Sequence, residues 1–142
     1  MQTFQLFHSV FFLFGAIFGS FLNVVIWRVP RNESIVSPPS HCSSCNKQIA
    51  PYDNIPLISW LILGGKCRHC KKEISSRYII VEFITGLLTV FMVVTYGIST
   101  EFFIKIFYVY MLIAITYIDF DHYIIPNEFI LLGVTSLLFI HF

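Results

Sequence analysis

Charge is what this 142-residue sequence has least of. Only 12% of its residues are Asp, Glu, Lys or Arg, whereas 56% are hydrophobic and 16 are phenylalanine. A single soluble domain of this length would need a far more polar surface. The composition therefore excludes an ordinary soluble domain and is typical of an integral membrane protein.

Basic residues are nearly missing outside one segment. Eight of the nine Lys and Arg residues lie between residues 28 and 77, a segment called the island from here on, and the ninth is Lys105. Membrane proteins concentrate such residues on their cytoplasmic side, so we expect the island in the cytoplasm. Because membrane topology accounts for these charges, no nucleic-acid partner is expected. The amino terminus also has no basic residue and no small-x-small cleavage site, which argues against a signal peptide.

Long apolar segments predict an all-α polytopic membrane protein with about four transmembrane helices. Three of them are long enough to cross the hydrocarbon core, at about residues 4–27, 78–98 and 102–118. A fourth, at about 129–142, is short for a crossing. When the chain is traced back and forth across the membrane through these segments, both the island and residues 119–128 lie on the cytoplasmic side.

Three parts follow from this topology. We expect a first transmembrane helix at 1–27, a cytoplasmic cysteine-rich domain at 28–77, and further transmembrane helices at 78–142. Within the island, the apolar segment 55–63 is too short to span, which leaves a membrane-surface helix or a ribbon segment.

Cysteine is scarce as well, and all four cysteines form two matched pairs on the island. Cys42-x-x-Cys45 and Cys67-x-x-Cys70 both continue into the same pattern, C-x-x-C-x-K-x-I. Each tight turn directs two thiolates to a common point, so the repeat predicts a small zinc-ribbon-like unit with structural zinc. Two disulfides or two pairs of idle thiols are the alternatives, and the expected cytoplasmic location disfavours disulfides.

Two features of the predicted spans stand out. Gly15, Gly19 and Asn23 recur every four residues, so they share a helix face that permits close approach and a hydrogen bond across the contact. Plain helix packing explains that face, and packing of a substrate helix is the other interpretation. Glu82 lies one turn inside the second span, where it has either a functional role or a partner such as Arg77 in the headgroup region.

The turn after the third span carries two acids. Asp119 closes a helix at its carboxyl end, where the macrodipole and the nearby hydrocarbon both disfavour a charged carboxylate. Stability does not explain an acid there, whereas acid–base chemistry does. Asp121 follows two residues later and would point away from Asp119 on a helix. A solvated turn is the plainer interpretation of Asp121 and His122.

These segments, in this order and spacing, resemble the bacterial type IV prepilin peptidases, which are membrane leader peptidase/N-methyltransferases. The resemblance covers nearly the whole chain: residues 19–30 (GSFLNVVIWRVP), the pair Cys42/Cys45, residues 51–60 (PYDNIPLISW), residues 65–70 (GKCRHC), residues 77–82 (RYIIVE) and residues 118–126 (IDFDHYIIP). The resemblance implies an aspartic endopeptidase of the bacterial inner membrane. Such enzymes cleave the leader of prepilins or pseudopilins and then methylate the new amino terminus with S-adenosylmethionine.

By motif, Asp119 corresponds to the first catalytic aspartate. Glu82 and Asp121, which the motif does not assign, are kept as candidate supporting acids. The family's second aspartate lies in a G-x-G-D motif that this sequence lacks, so the chain resembles the amino-terminal half of the enzyme. We therefore expect membrane lipid and prepilins or pseudopilins as partners, together with a second polypeptide that supplies the missing half. A non-catalytic membrane module that binds pilin-like proteins is the alternative, and a structural zinc-bearing subunit ranks last.

Overall fold

Outside the island, the chain folds into long helices. The computed structural model describes the backbone of residues 2–141 and the side chains of residues 5–136, so Phe142, the predicted end of the fourth segment, lies outside it. Its five α-helices are α1 (Gln2–Arg28), α2 (Ile58–Ile62), α3 (Arg77–Tyr96), α4 (Thr100–His122) and α5 (Asn127–His141). Between residues 2 and 141 the only β-type pairings are two isolated bridges on the island. The predicted all-α class is confirmed.

In the part of the chain that the structure describes, three stretches are long and apolar enough to cross a membrane, namely Gln5–Arg31, Arg77–Tyr96 and Thr100–His122. The last of them ends four residues later than the predicted span, because the helix continues through the acidic residues to His122. α5 has only 15 residues, which is short of a crossing. The island's apolar segment forms the short helix α2, flanked by a 3₁₀ turn at Pro51–Asn54.

α1 and α3 pack antiparallel at very short range. A Cβ on Gly15 would lie 2.7 Å from the Thr85 carbonyl oxygen, and one on Gly19 would lie 2.7 Å from the Glu82 Cα. One turn further along, the Asn23 amide nitrogen donates to the Tyr78 carbonyl at 3.1 Å, which confirms the predicted hydrogen bond across the contact. Small residues allow this approach in lipid, where the hydrophobic effect gives no attraction between helices.

α4 covers the α1–α3 pair with a stripe of residues at every fourth position. Its buried side chains are Phe102, Ile106, Tyr110, Ala114 and Ile118. The Tyr110 hydroxyl lies 2.6 Å from the Thr89 Oγ1 of α3, and its ring stacks on Phe18 of α1. A single tyrosine therefore ties the three long helices together.

The island and the acidic end of α4 lie at the same end of the bundle. The island leaves α1 after Arg28 and rejoins the bundle at Arg77, the first residue of α3. The Arg77 guanidinium forms an ion pair with the Asp121 carboxylate near the end of α4. The two polar segments that the predicted topology places on the same side of the membrane are thus in contact in the structure.

Adding one methyl group at Gly19 should separate α1 from α3. For Gly19→Ala we expect a loss of about 1–3 kcal/mol in the free energy of unfolding, because the new Cβ meets backbone atoms that cannot rotate away. Gly133→Ala is the matched control, since its Cβ would approach only the Met111 Cε, at 3.5 Å. Unfolding in mixed micelles, followed by circular dichroism, measures both. Equal stability of the two variants would contradict the close contact.

Candidate metal centre and adjoining cavity

The two cysteine pairs fold into the same turn, repeated 25 residues apart. In the first turn the Cys42 amide donates to the Lys47 carbonyl at 3.0 Å, and in the second the Cys67 amide donates to the Lys72 carbonyl at 2.9 Å. An antiparallel bridge closes each turn, between His41 and Gln48 and between Lys66 and Glu73. The sequence repeat therefore corresponds to a structural repeat.

Both turns use a left-handed residue directly after their second cysteine. Asn46 has φ 54° and Lys71 has φ 60°. Asparagine tolerates this region better than lysine does, because its short polar side chain compensates locally. Lys71 adopts the left-handed conformation although lysine disfavours it. Such local strain is typical of functional sites, and here it accompanies the placement of the neighbouring thiols.

The four thiols converge on one point. The Cys42 Sγ lies 3.8 Å from the Cys70 Sγ, and the Cys45 Sγ lies 4.0 Å from the Cys67 Sγ. All four sulfur atoms lie within 4.8 Å of one another. Zinc–sulfur bonds of about 2.3 Å at tetrahedral angles give sulfur–sulfur distances of about 3.8 Å, so the group fits one tetrahedral metal ion. All four cysteines are free, and the disulfide alternative is therefore wrong for this structure.

Backbone amides prepare two of these sulfurs, those of Cys42 and Cys67, for metal binding. A hydrogen bond from the Ser44 amide is the largest influence on Cys42 and helps to lower its thiol pKa to about 6. The amides of Cys70 and then His69 likewise lower the pKa of Cys67. The thiolate is the form that binds metal, so these donors favour the ligand state. Four thiolates at this distance repel one another, and a bound cation removes that repulsion.

An ion pair between Arg68 and Asp53 braces the second turn. Arg68 donates two hydrogen bonds to Asp53, at 2.7 Å from Nε and 2.6 Å from an Nη. This bidentate pair joins the second cysteine turn to the 3₁₀ turn at Pro51–Asn54, and it lowers the pKa of Asp53. The fork geometry of the guanidinium favours one orientation, so the brace restricts movement of the turn.

A cavity of about 470 Å³ separates the cysteine turns from the ends of α1 and α3. Its floor is formed by Ser20 and Asn23 of α1 and by Glu82 of α3, and two indole side chains line its walls, Trp27 and Trp60. Its volume lies within the range of small-molecule sites. Its lining, apolar with a few polar groups, is also typical of such sites. The site is larger than a metal centre alone.

Glu82 holds the island onto the bundle. Its Oε2 accepts a hydrogen bond from the Leu57 amide at 2.7 Å, and its side chain is only 7% exposed. Leu57 has φ 62° and ψ −52°, a conformation that leucine rarely adopts and that costs about 1–3 kcal/mol. The carboxylate contacts the island backbone, whereas Arg77 pairs with Asp121.

Three polar atoms in the described part of the chain are buried without a partner, and all belong to residues lining the cavity. They are Asn23 Oδ1, Trp60 Nε1 and Arg77 Nε. Buried polar groups are nearly always satisfied by protein, water or ligand. Sequence reasoning missed Trp60 and Ser20 as cavity residues, and the one available signal was an indole in a short apolar segment between Pro56 and Gly64.

Asp119 lies apart from this cavity, at the exposed end of α4. Because α4 continues to His122, Asp119 and Asp121 both lie on the helix and point to different sides, as helical geometry predicts. Within residues 5–136 no hydrogen bond or ion pair joins Asp119 to Glu82. Gly15, Gly19 and Asn23 pack against α3, so plain helix packing accounts for that face, and its use by a substrate helix stays a prediction.

Known proteins resemble this chain over most of its length. The profile of the family described as Bacterial Peptidase A24 N-terminal domain matches residues 13–96. A prepilin leader peptidase/N-methyltransferase of Myxococcus xanthus is 43% identical over 92% of this chain and 39% of the relative. One of Aeromonas hydrophila is 36% identical over 87% of this chain and 51% of the relative.

A third relative is the type 4 prepilin-like proteins leader peptide-processing enzyme of an Escherichia coli strain, 39% identical over 81% of this chain. The aligned region covers 49% of that enzyme, so the chain spans roughly two fifths to half of the length of these relatives. No solved structure matches the chain significantly.

Removing one thiol should empty the metal centre. We expect Cys42→Ser to lower bound zinc by more than about tenfold, because three thiolates no longer close the tetrahedron. Ser43→Ala, in the same turn but without a ligand atom, should keep its zinc. Elemental analysis of the purified chain in detergent gives both values. Stoichiometric zinc in the Cys42 variant would show that the four thiols do not act as one site.

Proposed function

This chain belongs to the bacterial peptidase A24 N-terminal domain family, and we propose that it forms part of an aspartic endopeptidase of the bacterial inner membrane. The enzyme removes the leader of type IV prepilins or pseudopilins at the cytoplasmic face, where the island also lies. The names of the three relatives and the three apolar helices support this assignment. The peptidase activity belongs to an assembly that includes more than these 142 residues.

One observation carries the proposal: an exposed carboxyl, Asp119, stands at the end of a membrane helix beside the island. Aspartic peptidases need two carboxyls, one to activate water and one to protonate the reacting carbonyl or leaving group. Asp119 supplies the first. No G-x-G-D motif occurs here, so the second comes from outside these residues, on a second polypeptide in our proposal.

The surroundings of Asp119 suit a substrate that is part apolar helix and part basic leader. The neighbouring Phe120 is 79% exposed and Tyr123 is 88% exposed, which offers an apolar shelf at the membrane surface. Asp121, held by Arg77, adds a second acid on another side of the same helix end. A leader of opposite charge would be oriented by these acids before cleavage.

The metal centre has a structural part in this proposal. The residues fit zinc, and four thiolates leave no open coordination position for catalysis. Zinc would close the two cysteine turns over the cavity and so hold the cavity's shape. The ion pair between Asp53 and Arg68 stiffens the same unit.

Methyl transfer, the second activity implied by the family, uses S-adenosylmethionine, which supplies the methyl group for an amino terminus. The cavity fits such a molecule by the chemistry of its walls. Glu82 suits its ammonium group, and the indole of Trp60 suits its planar base. These residues would bind and orient the molecule, and the apolar walls would exclude water.

Asp119→Asn tests the peptidase proposal. In cells that supply the polypeptide with the second aspartate and produce the chain together with a prepilin, we expect this variant to leave the leader attached, because an amide can neither take up nor release the catalytic proton. Glu128→Gln, an exposed acid in the same region, is the matched control and should permit normal cleavage. Mass spectrometry of the pilin amino terminus gives the result.

The outcomes separate the proposal from its rival. Full leader removal by Asp119→Asn would take Asp119 out of the mechanism. Crosslinking of prepilin to the chain, with no cleavage by any form of it, would instead support a non-catalytic module that binds pilin-like proteins. Loss of both crosslinking and cleavage in the wild type would contradict both functions.

A further inference from the structure

A second cavity lies on the outer side of the bundle, between α2 and the first turns of α3, and is called the outer groove from here on. All seven side chains that line it are apolar, and its volume is about 460 Å³. The island contributes Leu57 and Leu61, α1 contributes Phe12, and α3 contributes four side chains from its first eight residues. The outer groove shares no lining residue with the cavity beside the cysteine turns, so it is a separate site.

The outer groove opens towards the lipid. Ile80 and Phe83, two of its α3 residues, are 44% and 48% exposed, whereas Val81 and Glu82 between them are buried in the bundle. Since α3 is long and apolar enough to cross the membrane, its exposed side faces hydrocarbon. The α3 residues of the groove cover about 8 Å of the helix axis, next to the island. The groove therefore belongs to the leaflet on the island's side of the membrane.

Both ends of the outer groove have a defined wall. At the island end, Leu57 is held in its rare backbone conformation, φ 62°, by the hydrogen bond from its amide to Glu82. Backbone strain of this kind is typical of ligand clamps. At the other end, the ring of Phe12 packs edge to face on Phe83, with 5.8 Å between the ring centroids. Gly86 gives that ring its place, since a Cβ there would lie 2.7 Å from it.

The size of the outer groove favours a flexible chain over a helix. One turn of a helix about 10 Å wide occupies about 400 Å³, so the groove has room for little more than one turn. A straight membrane helix beside α3 would also meet α2 at the island end. The exposed side chains of α2 are Ile58, Leu61 and Ile62, whose spacing puts them on one helix face. A helix with such a face lies at the boundary between lipid headgroups and acyl chains.

We propose that the outer groove binds one acyl chain of a phospholipid from the leaflet next to the island, with Leu57 and Leu61 covering it. A chain in the groove contacts three elements of the protein at once, whereas a lipid on a plain helix face contacts one, so it is held longer. The bound lipid joins α2 to α3 and so helps to fix the island on the bundle. Neither Asp119 nor a cysteine lines the groove, so lipid binding is independent of the proposed peptidase activity.

Filling the outer groove should expel the lipid. The chain is released from nanodiscs of phosphatidylethanolamine and phosphatidylglycerol, and native mass spectrometry counts the lipids that stay bound. We expect one retained lipid on the wild-type chain and about fivefold less retention on Ile80→Trp, because the indole occupies the space of the acyl chain. Val94→Trp is the matched control and should retain the lipid, since Val94 is 59% exposed on α3 but lies outside the groove.

A photo-crosslinker identifies the occupant. In the same nanodiscs, p-benzoylphenylalanine in place of Leu61 should form an adduct with the mass of one phospholipid. The same residue in place of Ser43, on the first cysteine turn and across the other cavity from the helix ends, should form none. An adduct of the Leu61 probe with a polypeptide, or no adduct, would overturn the lipid site.

The retention experiment can contradict the proposal independently. A wild-type chain that retains no lipid, or equal retention by the Ile80 and Val94 variants, would overturn it. Circular dichroism and zinc content establish that the variants fold. If Ile80→Trp does not fold, Leu61→Trp, which fills the outer groove from an exposed position on the island, takes its place with the same expected loss.

Discussion

The close approach of α1 and α3 is the constraint on which the rest of the structure depends. Gly15 and Gly19 bring the two backbones so near that no other residue fits without displacing one helix. The contact brings Asn23 within reach of Tyr78 and places Glu82 beside α1. It also fixes the separation of the two points where the island leaves and rejoins the bundle. Lipid provides no hydrophobic attraction between helices, so this steric fit and its hydrogen bonds must supply the specificity.

The island depends on that anchorage because it has little regular structure of its own. Fifty residues contribute one short α-helix, two 3₁₀ turns and two isolated bridges. Three sets of polar interactions hold its conformation instead: the four converging thiols, the Asp53–Arg68 ion pair, and the hydrogen bond from the strained Leu57 to Glu82. Each of them joins parts of the chain that are distant in sequence. A unit without a hydrophobic core needs such crosslinks, and a metal ion held by the four thiols would be the strongest of the three.

The same end of the bundle therefore presents two chemically different regions. One is a half-enclosed cavity with a buried carboxylate and indole walls, and the other is an exposed acid, Asp119, at the helix end. Arg77 stands between them, since it lines the cavity and pairs with Asp121 near the end of α4. Two activities of the proposed kind, cleavage and modification of one amino terminus, would benefit from such proximity without sharing a catalytic group.

The sequence by itself determined what depends on local pattern. Apolar length predicted the three long helices, spacing by four predicted the Gly15–Gly19–Asn23 face, and the repeated C-x-x-C-x-K-x-I predicted two equal turns with convergent thiols. Tertiary structure alone decided what depends on which distant residues meet. It brought Glu82 into a hydrogen bond with the Leu57 amide and Arg77 into an ion pair with Asp121. It also formed a cavity, lined by Asn23, that no sequence motif predicts. The physical reason is that period and spacing fix a side chain's direction on its own helix, whereas a cavity exists only once separate elements have packed.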